Sequence, residues 1–556
     1  MSGHQDAGAG GKIIRATAAV MTAHGLLKVL GLVLTSTLGG VYGVKSAEMD
    51  VYATTFTGIM LAVYFIFEKT LSPAFLPLFM ERKDQGDEAG AWRFASTVIN
   101  VQGLLLLVAV GVIMLFPERF IMLVTQWRVE GDAEGAKRLT LASGMLRLMA
   151  PGLVGLSVAA MTYMLLNGYK RFFVAAFGEG TLKIIVLLSI CVPLAARKLD
   201  IGGASLMYVG AGVLVGSWGK LATHIFGLGR KAGYYRPVID YKDPMFRRLL
   251  ILAAPLLIGI VLASVRDLFN NIWVLSGLES GIIACNDFGK KIYSTIGFLA
   301  PTAVSIAMFP FFCEMVDRDD METLGRTITQ SLRIILFLFV PMSAGVMVVS
   351  VPIARVIYQH GNAAYMETMM AGTANAAYMA GLAFWAAEMI LMQAFFSNRR
   401  TITPVVVGLV WSTVSMLISY IGIVVLKVEG IGALVVVAGG VAFARAAKTV
   451  TLALILRLRV PIFRGGGSLL YFLKLALLTA GTAAAVYGTK LGYERISGVS
   501  ADTAAGFRLK IMLLGEVAVA GLAGFCALVG LGLLLRMEEI PAVYRWAMEK
   551  LKRRQR

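Results

Sequence analysis

The chain has 556 residues, of which 58% are hydrophobic and only 15% are charged, and its mean hydropathy is +0.76. A soluble domain of this size could not bury so much apolar surface, so the composition excludes a soluble globular protein and predicts an all-α polytopic membrane protein. The formal net charge of +19 would suggest nucleic acid in a soluble protein. Here most basic residues lie between apolar stretches, which indicates membrane topology and attraction to anionic lipids instead.

Apolar stretches of about 20 residues are long enough to cross a bilayer as helices. The chain contains fourteen such stretches, and we expect two of them, at the C-terminal end, to lie outside a repeat of two six-helix halves. In chain order the predicted spans are 15–42, 51–79, 92–116, 141–166, 172–195, 201–227, 248–275, 282–312, 328–352, 367–396, 402–426, 430–456, 468–490 and 510–535.

The basic residues of the connecting segments predict the orientation. With the N-terminus inside, the inner segments hold 27 Lys and Arg against about 12 in the outer segments. Because Lys and Arg are concentrated on the cytoplasmic side of membrane proteins, both termini are expected in the cytoplasm. The N-terminus shows no signal-peptide pattern. Residues 536–556 are basic and predict a short amphipathic helix on the inner leaflet.

A repeat at a fixed offset of 233 positions divides the chain. The same four residue types occur twice in the same order and spacing, at the inner ends of the second and eighth spans. They are Pro77, Glu81, Asp84 and Arg93, then Pro310, Glu314, Asp317 and Arg326. A second signal agrees, since Lys170-Arg171 follows the fourth span and Arg399-Arg400 follows the tenth. Many transporters are built from duplicated halves, and their substrate binds between the two halves. The predicted domains are 1–228, a basic linker at 229–247, 248–458, two additional helices within 459–535 and the tail 536–556.

Ionisable residues at membrane depth are costly, so each is a functional candidate. We expect the basic ones to attract an anionic substrate and the acidic ones to pair with them when the site is empty. The basic candidates are Lys28, Arg266, Lys290 and Lys291, and the acidic ones are Asp50, Glu68 and Asp267. The alternative is that these side chains lock helices together as ion pairs or reach to the interface. Arg266 and Asp267, as neighbours, are expected to project in different directions.

Structural pairing is the favoured interpretation for a second set of charges within the spans. His24 is expected to be a core histidine. The members of the set are Arg147, Lys183, Lys220, Glu388, Arg445, Lys448 and Glu516.

No motif for catalysis, ATP hydrolysis or metal binding is found in the sequence. It contains no Walker A, GxSxG or HExxH pattern, and no filter motif of a channel. Its four cysteines show no CxxC spacing and its four histidines form no cluster. We therefore expect a transporter rather than an enzyme, with no catalytic residue, no metal and no cofactor.

Four stretches of the chain resemble the MurJ/MviN family, the lipid II flippases of the multidrug/oligosaccharidyl-lipid/polysaccharide exporter superfamily. Residues 28–31 (KVLG) are similar to the family's R-V-L-G in the first span. Glu68 with SPAFLP at 72–77 is similar to its E-G-x-x-x-x-A-F-x-P. SIAMFPFF at 305–312 corresponds to the L-P segment of its second half. VIYQHG at 356–361 and FFSNRRTITP at 395–404 are similar to its F-x-x-G and x-S-x-x-D-x-x-T-P.

The resemblance implies roles for particular residues. Lys28 takes the place of a cavity arginine, Lys291 that of an arginine in the eighth span, and Asp50 and Glu68 match acidic positions near the cavity. The chain departs from the family pattern elsewhere, because Leu34, Val63 and Tyr64 occupy positions of frequent arginines and Lys290 that of an aspartate. Lysine keeps the charge of arginine but loses the fork that binds phosphate through two hydrogen bonds.

The resemblance also implies a function, in peptidoglycan and cell wall biogenesis. A lipid II flippase of the bacterial inner membrane would move its lipid-linked precursor to the outer leaflet by alternating access, with the diphosphate at the cavity lysines and the lipid tail in a groove of the last two spans. The expected partners are an undecaprenyl-diphosphate-linked glycan and anionic lipids, and the protein is expected to be a monomer. Coupling to membrane potential, sodium or protons stays open. The alternatives are a flippase for O-antigen, capsule or exopolysaccharide, a drug or ion antiporter, and a scaffold without transport.

Overall fold

The structure is a computed structural model that describes residues 24–128, 133–198, 205–297, 302–398, 400–464, 467–499 and 506–541. These ranges are overwhelmingly helical and contain no β-strand. Helices satisfy their own backbone hydrogen bonds, which is why they and closed barrels are the structures that cross hydrocarbon. The predicted all-α polytopic fold is confirmed. Residues 15–23, Arg399 and most of the predicted tail helix lie outside the described residues.

The chain divides into two compact units, Met1–Ala284 and Cys285–Arg556. The helix α2 contains a π-helical segment at Ala53–Met60. The helices of the first unit are α1 His24–Tyr42, α2 Ala47–Asp84, α3 Glu88–Leu115, α4 Pro117–Val124, α5 Ala133–Met149, α6 Gly152–Gly168, α7 Phe172–Lys198, α8 Met207–Leu228 and α9 Pro244–Leu268.

The second unit is also built of helices. Its first helix, α10, begins three residues before the division between the units. The remaining helices are α10 Ile282–Gly297, α11 Thr302–Asp317, α12 Met321–Val348, α13 Ser350–Tyr358, α14 Tyr365–Met379, α15 Leu382–Ser397, α16 Ile402–Tyr420, α17 Gly430–Arg457, α18 Gly467–Ser497 and α19 Phe507–Leu534.

Eleven helices in the described ranges are long and apolar enough to cross a membrane, or twelve if α5 and α6, which meet at a bend of 48°, form one span. The predicted sixth and eighth spans are helical but are not among them. The sixth corresponds to α8, which carries Lys220 and His224, and the eighth to the 16-residue helices α10 and α11. The count of fourteen therefore stays a prediction.

The repeat inferred from the sequence is visible in the helix boundaries. Helices α3 and α12 begin 233 positions apart (321 − 88) and end 233 positions apart (348 − 115). Their N-caps are also at this offset (320 − 87): Asp87 accepts a hydrogen bond from the backbone of Gly90, and Asp320 accepts one from Thr323. A short helix follows each, α4 and α13. Two helices of equal length with equivalent caps support duplication more directly than the matched residues did.

The division into units differs from the predicted halves, which end at 228 and begin again at 248. Helix α9 packs along α2 and belongs to the first unit. Two ion pairs join the inner ends of these helices, Arg82 with Asp243 at 2.8 Å and Arg248 with Glu81 at 3.1 Å. The six-helix halves defined by sequence stay a prediction.

Close helix packing in the first unit depends on small residues of α8. Gly212 and Gly216 lie one turn apart on the face that meets α7. A Cβ atom at Gly216 would lie 3.0 Å from the backbone oxygen of Leu182, so any side chain there pushes the two backbones apart. Small residues at such spacing are the usual means of close approach between membrane helices. This contact sets α7 against α8, and both carry residues of the candidate site.

The second unit has its own core between α12, α14, α15 and α17. The last two helices, α18 and α19, pack on each other and on α12, where the Tyr471 hydroxyl donates to the backbone oxygen of Arg333 at 2.7 Å. The buried core residues include Ile328, Leu332, Tyr378, Leu382, Ala386, Ile390 and Leu452.

Candidate functional site

The most concentrated group of charges at membrane depth in the first unit lies on α1, α2, α7 and α8. We call it the lysine–glutamate cluster. The members are Lys28 of α1, Tyr64 and Glu68 of α2, Glu179 and Lys183 of α7, and Lys220 of α8. Two sequence candidates, Lys28 and Glu68, are thereby brought together.

Lys220 is the centre of the cluster. Its side chain is 1% exposed, forms an ion pair with Glu179 and donates a hydrogen bond to the Tyr64 hydroxyl at 3.1 Å. A buried ammonium needs such partners, because an uncompensated charge in a medium of low dielectric constant is strongly disfavoured. Glu68 lies close enough for both Lys220 and Glu179 to act on it electrostatically. The Tyr64 hydroxyl here accepts a hydrogen bond from a lysine of another helix.

The remaining lysines flank this centre. Lys183 donates to the backbone oxygen of Leu27 at 2.6 Å, which ties α7 to α1. Lys28 is half-buried on α1, where Glu179 is the acidic group that acts on it. His24 lies in the same field, near Glu179, Lys28 and Lys183. The polar face of α7 therefore contacts α1 through Lys183 and α8 through Glu179.

The cluster carries more positive than negative charge. Its three lysines exceed its two glutamates, so its formal balance is +1 when all five groups are ionised. Ammonium groups attract phosphate as point charges without the fork geometry of arginine. The cluster can thus bind an anionic group while Glu68 and Glu179 limit repulsion among the lysines when no anion is present.

Asp50 has a different environment from the other acidic candidates. It is 1% exposed, and its carboxylate accepts hydrogen bonds from the backbone of Gly281 at 2.6 Å and of Ala284 at 2.8 Å. The guanidinium of Arg138 lies 3.8 Å away. Within the first unit, Asp50 therefore holds the backbone at the start of α10.

Arg266 and Asp267 do not project in different directions as expected from their adjacency. The Arg266 guanidinium donates to Asp267 Oδ1 through two nitrogens, at 3.0 and 2.8 Å. The arginine is flexible enough to bend back along α9, and pairing lowers the cost of both charges near hydrocarbon. The expectation about their directions was wrong, whereas their proposed roles toward substrate stay predictions.

The second unit holds a separate set of charges. On α10, Lys291 pairs with Asp287 at 2.8 Å, one helical turn apart, and Lys290 is half-buried beside it. Arg445 of α17 donates to the Tyr293 hydroxyl at 2.8 Å and lies over the Trp385 ring. Lys448 pairs with Glu388 at 2.6 Å, as expected of residues assigned to structural pairing.

Sequence reasoning missed Glu179, whereas the structural pairing expected for Lys220 agrees with its ion pair to Glu179. Glu179 is the only acidic residue between 172 and 195 and is flanked by two glycines, which is the signal that could have found it. The partner of Glu179 lies 41 positions away on another helix. Only the packing of α7 on α8 brings them together.

Comparisons with known proteins agree with this architecture. A family model described as "Lipid II flippase MurJ" matches residues 43–499. A relative from Rhizobium meliloti (strain 1021), described as a probable lipid II flippase MurJ, is 25% identical and aligns over 67% of this chain and 69% of its own length. One from Rhizobium tropici with the same description is 26% identical over 67% and 68%.

Solved structures show the same fold. One titled "Lipid II flippase MurJ, inward closed conformation" has a TM-score of 0.70 at 21% identity and covers 92% of this chain and 98% of its own. An inward-facing multidrug resistance MATE family transporter of the MOP superfamily has a TM-score of 0.62 at 14% identity, covering 79% and 94%. At these identities the two structures establish the fold alone. The family model extends over far more than half of the sequence, and the chain therefore belongs to the lipid II flippase MurJ family.

Proposed function

We propose that the protein transports lipid II from the inner to the outer leaflet of the bacterial inner membrane by alternating access. Family membership and eleven apolar helices make it a multi-pass protein of that membrane. The observation that carries the assignment is the family match over residues 43–499. The diphosphate and sugar-peptide of such a lipid are too polar to cross hydrocarbon unaided.

The lysine–glutamate cluster supports recognition of a diphosphate. Lys28 is half-buried, and no described residue forms a salt bridge with it. We propose that Lys28 binds the diphosphate directly, while Lys220, held by Glu179 and Tyr64, contributes long-range attraction. Within the first unit, we propose that Arg266 adds to this attraction and that Glu68 and Asp267 balance charge when the site is empty. The substrate roles predicted for Lys290 and Lys291, in the second unit, and for Asp50, which holds the backbone of Gly281 and Ala284, stay predictions.

The lipid tail needs a different environment from the headgroup. It is too long to enclose, so it remains in the bilayer and passes through a lateral gap. We propose that α18 and α19, outside the repeat, guide it. Many of their large apolar side chains are exposed, including Leu469, Leu473, Leu477, Leu522 and Phe525.

The driving force requires no ATP. With both termini in the cytoplasm, an anionic headgroup moves outward in the direction favoured by an inside-negative potential, worth roughly 2.3 kcal/mol per charge per 100 mV. No cofactor is proposed. Sodium or protons are the alternative couplings. Growth in media without sodium would test sodium coupling, and an ionophore that collapses the pH gradient but not the potential would test proton coupling.

The deciding experiment is complementation. We expect the gene to restore growth to a bacterium depleted of its own lipid II flippase. Failure there, together with rescue of an O-antigen or capsule flippase mutant, would assign the runner-up substrate, another undecaprenyl-diphosphate-linked glycan.

Two variants test the site in the same strain. Lys28→Ala and Lys291→Ala should abolish complementation while the protein still accumulates in the membrane. Lys137→Ala, at an exposed lysine of α5, is the control and should grow normally. Normal growth of both test variants would refute the roles of these lysines and leave the family assignment intact.

A further inference from the structure

An apolar groove opens on the first unit, and none of its lining residues belongs to the lysine–glutamate cluster. It is formed by α3, α6, α8 and the segment 232–239 that follows α8, and its cavity is about 640 Å³. That volume falls in the range of about 300–1,000 Å³ typical of small-molecule sites. Its lining includes Leu104, Leu107, Val158, Trp218, Leu221 and Ile225. We call it the α3/α6/α8 groove.

Among the side chains that line this groove, Asn100, Tyr235 and Thr162 are already hydrogen-bonded within the protein. The Asn100 amide donates to the backbone oxygens of Arg236 and Val238, at 3.1 and 2.8 Å, and its oxygen accepts from Tyr235 at 2.6 Å. The Thr162 hydroxyl lies 3.0 Å from the backbone oxygen of Ala159 and 3.0 Å from His224 Nδ1. The groove therefore offers an occupant apolar surface rather than hydrogen bonds.

Aromatic and basic residues lie at one end of the groove. Tyr234, Tyr235 and Tyr241 are exposed, and tyrosine is enriched where helices leave the hydrocarbon. Arg236 lies between two lining residues and is exposed, as is Arg230. Neither arginine forms a salt bridge with any residue in the described ranges. Basic sites between membrane helices near the cytoplasmic surface are suited to anionic headgroups.

The groove is long enough for a single acyl chain. Its lining on α3 runs from Trp92 to Leu107, about 22 Å at 1.5 Å per residue, whereas the hydrocarbon of one leaflet is about 15 Å deep. An acyl chain that begins at the interface and ends within one leaflet is shorter than this lining and can lie along it. A polyprenyl tail is longer than this lining, and the diphosphate attached to it is the group proposed to bind at the lysine–glutamate cluster.

We propose that the α3/α6/α8 groove binds an anionic glycerophospholipid, with one acyl chain along α3 and its phosphate at Arg236 and Arg230. The site is distinct from the substrate site and does not depend on which lipid-linked glycan is transported. Bound lipid would fill the space between α3 and α8 and stabilise the segment 232–239 over it.

Two glycines of α3 provide a matched test. A Cβ atom at Gly103, which lines the groove, would meet no heavy atom within 4 Å, and the same holds for Gly111, which does not line it. Gly103→Leu therefore adds a side chain to the groove at a position with room for its Cβ atom, while Gly111→Leu makes the same change elsewhere on the helix. Native mass spectrometry of the full-length protein in detergent, with added phosphatidylglycerol or phosphatidylethanolamine, measures retained lipid.

The expected result is preferential retention of phosphatidylglycerol by the wild type and by Gly111→Leu, and its loss from Gly103→Leu. Arg236→Gln should weaken phosphatidylglycerol binding about fivefold without affecting phosphatidylethanolamine, since one surface cation contributes roughly that factor. Arg119→Gln, at an exposed arginine of α4, is its control. Equal retention by the two glycine variants, no preference for the anionic lipid, or displacement of phosphatidylglycerol by undecaprenyl phosphate would each overturn the proposal.

Discussion

Removing one partner of the Lys220–Glu179 pair should destabilise the first unit by an amount that depends on which partner is left. Lys220 is 1% exposed, whereas the side chain of Glu179 is 31% exposed. Glu179→Gln leaves a fully buried ammonium with Tyr64 as its remaining neutral partner, at a cost of about 3–5 kcal/mol. Lys220→Met leaves a carboxylate that is only partly buried, so the loss should be about 1–3 kcal/mol.

A double variant that lacks both charges separates the stability contributed by the ion pair from the cost of leaving one charge unpaired. Replacing both charges removes the attraction together with the desolvation cost, so Lys220→Met/Glu179→Gln should lie within about 1 kcal/mol of the wild type. Thermal unfolding of the purified protein in detergent measures the order: wild type and double variant, then Lys220→Met, then Glu179→Gln.

The same variants separate stability from transport. If Lys220 only locks α7 to α8, the double variant restores both the unfolding midpoint and growth in the complementation assay. If its charge contributes to the binding of the diphosphate, stability returns and growth does not. A Glu179→Gln protein at least as stable as Lys220→Met would contradict this order, as would a double variant no more stable than Glu179→Gln.

Three further predictions concern the first unit outside the cluster. Arg82→Gln removes the ion-pair partner of the buried Asp243 at the start of α9 and should lower the free energy of unfolding by about 1.5–3 kcal/mol. Arg248→Gln, whose ion pair with Glu81 is exposed, should lower it by under about 1 kcal/mol. Equal midpoints of thermal unfolding for the two variants would show that burial of the pair is irrelevant. Gly216→Leu should cost about 3 kcal/mol or prevent accumulation through its clash with the backbone of α7, while Gly111→Leu accumulates normally. The backbone N–H of the first turn of α3, with help from Arg82, holds the pKa of Asp87 below its usual value. Its stabilisation of the cap is thus fully present above about pH 4 and is lost as the pH falls through the lowered pKa, so the gap in midpoint between wild type and Asp87→Asn should close only in acid.

Fold class and repeat were predictable because both are encoded locally. Apolar length predicts a helix that spans the bilayer, and residues such as Glu81 and Glu314 mark equivalent helix ends without any knowledge of packing. The span count was less accessible. Helix α10 carries Asp287, Lys290 and Lys291 in 16 residues, and whether such a helix spans a membrane depends on its neighbours rather than on its own hydropathy.

The site was only partly predictable for a related reason. Lys28 and Glu68 could be identified because an ionisable side chain is energetically costly within an apolar helix and therefore rare there. The choice between a functional and a structural role depends on partners from other helices, such as Glu179 for Lys220 or the backbone of Gly281 for Asp50. One sequence without its packing carries no information on those distances.

The equal length of α3 and α12 has a consequence for the surrounding bilayer. Each has 28 residues and is about 42 Å long, roughly 12 Å more than the hydrocarbon thickness of a typical membrane. Such helices meet a thinner bilayer by tilting and a thicker one by standing upright, at a modest cost per ångström of mismatch. Because the surplus length is the same in both helices, a change of membrane thickness imposes the same mismatch on each of them.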